Sequence, residues 1–345
     1  MPARTLLVAV ALVAACHAAA VARDLTVVVR GDAMPDAIRQ VLASPFTAAT
    51  DIAVQLESWD GGVDTLRNQL KAPDNDWDLI EVNADELATG CGEGLFEKLE
   101  WLAIGGKDHY LAQGVSDCGV GATLTTLVLA WDRDKFPGAP GWSDFWDVAK
   151  YPGKRGLYKG VRGNLEFALI ADGVSPPDVY KVLATSDGVD RAFRKLDQLK
   201  PYIEWWQTGV EAAHILSSGD VLMTTAPSGW IVLADRVDHR NFGVQWNAGL
   251  YLVESWAVAK GSPDLRQAQQ FMYFAGMPAV QARLFESTGT GGLAKGANDG
   301  LAPEVQALSP TVQANLNAAV RFDTGFWHDN QSKLQQRFDT WMEGH

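Results

Sequence analysis

The sequence offers few residues with which to bind a metal or attack a substrate. It contains no His-Glu-x-x-His motif, no Gly-x-Ser-x-Gly elbow and no Gly-Lys-Ser/Thr to complete a phosphate-binding loop. The glycine-rich stretches at residues 90–94 and 289–292 do not directly follow a predicted strand, so we interpret them as loops. The six histidines are scattered, with no pair at ligand spacing: His17, His109, His214, His239, His328 and His345. We therefore expect no metal, no cofactor and no covalent catalysis.

Positive charge is also in short supply. Lys and Arg total 29 against 42 Asp and Glu, which gives a net charge of -13. Most of the surface would therefore repel nucleic acid and anionic membranes, and neither is expected as a partner. The 345 residues are 47% apolar and 21% charged, an ordinary globular composition that is sufficient for two domains with separate cores.

Long apolar runs are confined to the N-terminus. Residues 1–22 combine a positive charge at Arg4, an apolar run and small residues ending at Ala22, which is the pattern of a secretory signal peptide. A second interpretation takes Cys16 as the lipid-bearing residue of a lipoprotein. Both interpretations place the mature protein in the periplasm.

Cysteine is rare as well. The chain has three, and removal of the leader with Cys16 leaves Cys91 and Cys118. An even pair in an exported protein favours one disulfide, although two free buried thiols are the alternative.

What the sequence does contain is a repeated pattern of strand, loop and helix. The run Asp24–Arg30 is rich in β-branched residues and precedes a helical pattern, and two similar units follow before residue 90. Alternating strands and helices predict a parallel sheet, so the loops after the strands should open at one sheet edge, where ligands bind in such folds. These loops carry Asp32, then Trp59 with Asp60, then Asn83.

Two later apolar segments, at residues 122–135 and 250–261, are long enough to carry the chain between two lobes. The second contains Glu254 and Trp256 between apolar residues. A carboxylate taken out of water without a partner is costly, so Glu254 is a candidate ligand contact. The alternative is that the strand ends at Val253 and that Glu254 faces solvent.

Several longer motifs together resemble the extracellular solute-binding proteins of ABC importers, in the group that binds spermidine and putrescine. They include CGEGLFEKLEW, WSDFWDVAKYPGKRGL, WWQTGVEAAHILSSGDVLMTT, ESWAVAKG and FWHDNQSKLQQRFDTW. The resemblance implies a two-lobe α/β fold, two hinge strands, capture of a small solute by lobe closure, and delivery to a permease in the inner membrane. We expect a monomer in which residues 23–130 and 255–300 form lobe 1 and residues 131–254 and 301–345 form lobe 2.

In the family that this chain resembles, an acidic residue at the position of Glu254 meets the ammonium group of the ligand, with an aromatic residue nearby. Relatives that bind polyamines carry more carboxylates in the loop that here contains Lys159 and Arg162. We therefore expect a ligand that is an amine or a zwitterion, with an anionic or polar solute as the alternative. Arg162 could instead form only an ion pair with Glu166, four residues further on. The predicted binding residues are Asp32, Trp59, Asp60 and Asn83 in lobe 1, Arg162 and Trp230 in lobe 2, and Glu254 and Trp256 at the hinge.

Two rival functions are consistent with the same resemblance. Some thiamine-degrading enzymes resemble these binding proteins and use a cysteine nucleophile, for which Cys91 or Cys118 would be needed. A binding protein could also serve a chemoreceptor in place of a permease.

Overall fold

The structure, a computed structural model, describes residues 23–31, 35–237 and 239–344. Its strands are β1 (Leu25–Arg30), β2 (Val54–Trp59), β3 (Leu79–Val82), β4 (Gly119–Asp132), β5 (Arg155–Tyr158), β6 (Ile203–Trp206), β7 (Met223–Pro227), β8 (Phe242–Val258) and β9 (Val320–Arg321). The predicted signal peptide, including Cys16, lies outside the described residues.

The α-helices lie between these strands and beyond the last of them. They are α1 (Pro35–Ile38), α2 (Ser44–Thr50), α3 (Val63–Leu70), α4 (Ala84–Gly92), α5 (Trp142–Trp146), α6 (Asn164–Ala171), α7 (Val179–Leu183), α8 (Ser186–Asp197), α9 (Gly209–Ser217), α10 (Ser228–Val237), α11 (Leu265–Ala275), α12 (Pro278–Thr288), α13 (Pro303–Gln306), α14 (Gln313–Ala318) and α15 (Thr324–Glu343). A π-helical turn, Arg39–Ala43, joins α1 to α2, and short 3₁₀ turns lie at Trp101–Ile104, Lys107–His109, Ala112–Gly114, Pro176–Asp178 and Lys200–Tyr202.

The strands form one sheet in the order β2-β1-β3-β8-β4-β7-β5-β6, with β9 beside β8. As predicted, β1 pairs in parallel with both β2 and β3, and their C-terminal ends share one edge. The apolar side chains of β1 are buried, as is usual for parallel strands that helices cover on both faces.

Strands β4 and β8 connect the two halves of the molecule. They pair antiparallel over most of their 14 and 17 residues, and the ladder shifts register between Gly121 and Thr123 and again between Leu127 and Leu129. One end of this pair joins β3 in lobe 1, and the other end joins β7 in lobe 2. The predicted two-lobe architecture with two crossing strands is confirmed, whereas the residue at which each lobe begins stays a prediction.

Each lobe has its own apolar core. In lobe 1 the buried side chains of β1 and β3 pack against α11 and α12, and in lobe 2 those of β4 and β5 pack against α6, α8 and α15. Of the helices in the described part of the chain, none combines the length and the hydrophobicity that a membrane span requires.

The two lobes approach each other closely where α10 of lobe 2 begins and α12 of lobe 1 ends. A Cβ atom on Gly229 would lie 2.6 Å from the carbonyl oxygen of Thr288, and one on Gly289 would lie 2.5 Å from the Cα of Gly229. Only residues without a side chain allow this approach, and Gly289 also adopts a φ of +69°.

The predicted disulfide is present. Cys91, in α4, and Cys118, just before β4, are bonded with their Cα atoms 5.8 Å apart. The bond ties the helix after β3 to the start of the first crossing strand, and both belong to lobe 1.

Candidate functional site

A cavity of about 820 Å³ lies between the lobes, beside the crossing strands. Its volume falls within the range of small-molecule sites, roughly 300–1,000 Å³. The walls come from the ends of β1 and β3, the middle of β4 and β8, the loop before α6 and the first residues of α9 and α10.

The charged side chains that line the cavity are balanced in sign. Among the described residues they are Arg30, Glu81, Arg162 and Glu254. Arg30 and Glu81 belong to lobe 1, Arg162 belongs to lobe 2 and Glu254 lies on a crossing strand. The cavity therefore combines both signs of charge with mostly apolar walls.

Glu254 lies inside β8, which continues to Val258, so the interpretation in which the strand ends at Val253 is wrong. It is paired opposite Thr123, immediately beside a register shift of the β4–β8 ladder. The side chain is half-buried and lines the cavity. Its position on a crossing strand places a carboxylate at the junction of the lobes.

Arg30, the last residue of β1, is held by carboxylates of its own lobe. Its Nη1 donates to both carboxylate oxygens of Glu86, at 3.0 and 2.9 Å, and its backbone N–H donates to Glu81 Oε2 at 3.2 Å. The guanidinium also lies 5.8 Å from the ring centroid of Trp59. Much of its charge is therefore already neutralised within lobe 1.

The hydrogen-bond and ring partners of Arg162 are neutral groups, and Glu166 and Asp85 attract its charge from a longer distance. Its Nε donates to Gln331 Oε1 at 2.6 Å, and its guanidinium carbon lies 5.9 Å from the ring centroids of both Phe322 and Trp327. Partial desolvation lowers the pKa of Arg162, although a guanidinium stays protonated near neutral pH. Arg162 is exposed and lines the cavity. In the described ranges it has no carboxylate within salt-bridge distance.

Glu166 has other partners, so the alternative of a simple Arg162–Glu166 ion pair is not what the structure shows. The carboxylate accepts hydrogen bonds from the Gly163 N–H at 2.9 Å, the Tyr180 hydroxyl at 3.0 Å and the Trp327 indole N–H at 2.7 Å. Complete burial raises the pKa of Glu166 to about 6, because desolvation outweighs these hydrogen bonds.

Aromatic residues form much of the lobe 2 wall. Tyr158, Trp206 and Trp230 line the cavity, and the rings of Tyr158 and Trp206 lie 5.1 Å apart. Neighbouring residues on a strand face opposite sides, and accordingly Trp205 packs against Phe338 on the other side of the sheet. An indole or phenol face of this kind suits the methylene chain or the ammonium group of a small solute.

Of the eight predicted binding residues, Arg162, Trp230 and Glu254 line this cavity. Asp32 lies outside the described residues, and Asp60 is exposed and does not line the cavity. Whether any of them binds a ligand stays a prediction.

The other three predicted residues have structural partners elsewhere. Trp59 is buried against Trp77 and donates its indole N–H to the carbonyl of Glu81 at 3.0 Å. Asn83 caps α4, because its side chain accepts from the backbone N–H groups of Asp85 and Glu86. Trp256 lies in the core of lobe 1, edge-on to Phe271 of α11.

The sequence-based prediction missed Arg30, Glu81 and Tyr158, which line the cavity. Arg30 and Glu81 are each a single charged residue in an otherwise apolar strand. The same pattern identified Glu254, so it could have identified these two residues as well. Tyr158 carries no such signal, because aromatic residues at strand ends are common in cores. Within the described ranges, no group of three or more His, Cys, Asp or Glu residues is placed to hold a metal ion.

Comparison with known proteins agrees with this architecture. A γ-aminobutyric acid-binding protein of Pseudomonas aeruginosa is 40% identical over 328 residues, which cover 95% of this chain and 93% of that protein. A solved structure of a GABA receptor matches with a TM-score of 0.81 at 27% identity, covering 94% of this chain and 98% of the other. An ABC transporter substrate-binding protein from Bradyrhizobium japonicum matches with a TM-score of 0.79 at 28% identity, covering 92% and 99%.

A family model covers most of the chain. Residues 41–318 match the model described as bacterial extracellular solute-binding protein. The resemblance inferred from the sequence motifs is thereby confirmed, and the chain belongs to the bacterial extracellular solute-binding proteins.

Proposed function

We infer that this protein captures a small zwitterionic amino acid of the γ-aminobutyric acid type in the periplasm and delivers it to an ABC permease. The observation that carries the proposal is that the described residues of the cavity wall present both signs of charge, with the Arg162 guanidinium on lobe 2 and the Glu254 carboxylate on a crossing strand. A solute with one ammonium and one carboxylate group can match both.

Solutes with other charges fit the cavity less well. A diamine would place one of its two positive charges beside Arg162, and a dicarboxylate would place one of its two negative charges beside Glu254. A like charge that is desolvated without compensation is costly. Of the two solute classes expected from the sequence, an amine and a zwitterion, we therefore propose the zwitterion.

Each end of the solute has a candidate partner. Glu254 would accept from the ammonium group, and Arg162 would donate to the carboxylate across the cavity. A hydrogen bond to a charged group contributes about 1.5–3 kcal/mol, so the two together supply much of a micromolar affinity of about 8 kcal/mol.

The names of the relatives support the same class of solute. The relative at 40% identity is a γ-aminobutyric acid-binding protein, and one of the matched structures is a GABA receptor. The match to an ABC transporter substrate-binding protein supports delivery to a permease.

The disulfide weakens the rival proposal of a cysteine-dependent enzyme. The nucleophilic form of cysteine is the free thiolate, and the sulfur atoms of Cys91 and Cys118 are bonded to each other. Binding without chemical conversion is therefore the function that we propose.

Calorimetry with γ-aminobutyric acid and the mature protein tests the proposal. Glu254→Gln should weaken binding at least about tenfold, or 1.4 kcal/mol, because the ammonium group loses a charged acceptor. Glu304→Gln, which makes the same change on the exposed helix α13, should leave the affinity within twofold.

A comparison of solutes of similar length tests the charge argument. γ-Aminobutyric acid should bind more tightly than putrescine and than succinate. Tighter binding of putrescine or of succinate would contradict the assignment of a zwitterion, and an unchanged affinity in Glu254→Gln would remove Glu254 from the site.

A further inference from the structure

The C-terminal helix α15 contacts Arg162, a residue of the cavity wall, through a polar residue on its buried face. Trp327, Gln331, Leu334 and Phe338 follow one another at helical spacing, so they lie along one side of α15. Trp327, Leu334 and Phe338 are buried in the core of lobe 2. Gln331, which is half-buried, interrupts this apolar stripe with an amide.

The backbone on either side of Arg162 is fixed by hydrogen bonds. The buried side chain of Asn164 donates to the carbonyl groups of Tyr158 and Gly160, both at 2.7 Å. The N–H of Val161 donates to Gln335 of α15 at 3.3 Å, and the N–H of Gly163 donates to Glu166. The remaining freedom of Arg162 lies in its long side chain.

Gln331 restricts that side chain. Its Oε1 atom accepts from Arg162 Nε at 2.6 Å, while the rings of Phe322 and Trp327 lie beside the guanidinium. With Nε engaged on the side of α15, the two Nη groups are the donors left for the cavity. Gln331 itself does not line the cavity.

We propose that Gln331 is a positioning residue that selects for a carboxylate on the solute by orienting the Nη groups of Arg162. This inference rests on the proposed function, in which Arg162 meets the carboxylate of a zwitterion. A neutral amide suits the role, because a carboxylate at residue 331 would pair with the guanidinium and weaken its attraction for the solute.

The test compares two probes and four variants by calorimetry. The probes are γ-aminobutyric acid and 4-aminobutanamide, which has the same ammonium group and chain but no carboxylate. The variants are Gln331→Leu, Arg162→Leu, the double variant, and Gln336→Leu as a matched control on the exposed side of α15. Gln331→Ala replaces Gln331→Leu if thermal melting shows that the larger side chain disturbs folding.

Gln331→Leu should weaken binding of γ-aminobutyric acid about five- to tenfold and change binding of 4-aminobutanamide less than twofold. Adding it to Arg162→Leu should cause no further loss, because Gln331 acts through Arg162. Gln336→Leu should behave as the wild type with both probes.

Separate outcomes overturn the two proposals. If Arg162→Leu weakens γ-aminobutyric acid but Gln331→Leu does not, or if the losses add in the double variant, the positioning role is wrong and the proposed function stands. If Arg162→Leu itself leaves the affinity for γ-aminobutyric acid unchanged, the assignment of Arg162 to the carboxylate is wrong, and the role of Gln331 falls with it.

Discussion

The two walls of the cavity each present an arginine, but they hold it in different ways. On the lobe 1 wall, Arg30 forms two hydrogen bonds with the nearly buried carboxylate of Glu86. On the lobe 2 wall, Arg162 is held by the amide of Gln331 and by two aromatic rings. An arginine paired with a carboxylate contributes to the fold, whereas one held by neutral groups keeps its charge for a ligand.

Lobe 1 also contains the disulfide, and removing that bond should have the largest effect on stability. Replacing both Cys91 and Cys118 with Ala opens a loop that spans 27 positions. On the loop-entropy model the free energy of unfolding should fall by about 3.5 kcal/mol. Urea unfolding measures this loss. The affinity for γ-aminobutyric acid should change less than twofold, and a large loss of affinity would show that the disulfide shapes the cavity itself.

Matched leucine substitutions at the two arginines compare the walls directly. Arg30→Leu leaves the buried carboxylate of Glu86 without its cationic partner and should lower the free energy of unfolding by about 3 kcal/mol. Arg162→Leu removes no ion pair with any residue that the structure describes, and it should lower the free energy of unfolding by less than about 1 kcal/mol. Urea unfolding of both variants without solute provides the measurement. Equal losses of unfolding free energy in the two variants would show that the two arginines contribute equally to the stability of the fold.

The carboxyl group of Glu166 should make the free energy of unfolding depend on pH. This effect should be smaller than the losses expected for the disulfide and for Arg30. Burial raises its pKa to about 6 from an ordinary value of 4.5, so the native state binds this proton more tightly than the unfolded state. The contribution to stability is complete below pH 4.5 and is lost as the pH rises through 6, by about 2 kcal/mol in total.

Glu166→Gln isolates this contribution, because its side chain does not titrate. From pH 4 to pH 7 the wild type should lose about 2 kcal/mol of unfolding free energy relative to the variant. Glu304→Gln, on the exposed surface, should follow the wild type across the same range. A constant difference between wild type and Glu166→Gln would mean that Glu166 titrates normally.

The sequence predicted the fold well because the fold depends on patterns that extend over many residues. The β-branched run of β1 and the long apolar segments that became β4 and β8 indicated a parallel sheet and two crossings. The disulfide followed from the number of cysteines and the exported context, without any knowledge of the distance between them.

The site was predicted in part, and the errors have identifiable causes. Asn83 is followed three residues later by Glu86, which is the signature of a helix cap, and capping is the role that Asn83 has. Trp256 lies two residues after Glu254 and on the same face of β8, but α11 covers that face within lobe 1. The alternation of side chains along a strand predicts on which face of the sheet a residue lies. It does not predict which element packs against that face. That information comes from the tertiary structure.

Two of the crossings between the lobes lie within strands, in β4 and β8. Strands β4 and β8 carry one hydrogen-bond ladder from lobe 1 into lobe 2. Dividing the chain within β4 or β8 would therefore leave a severed strand with exposed backbone groups, and such an edge promotes aggregation. The two lobes therefore cannot be exchanged separately between related proteins. A change of specificity in this scaffold has to replace the loops that line the cavity and leave the β4–β8 pair intact.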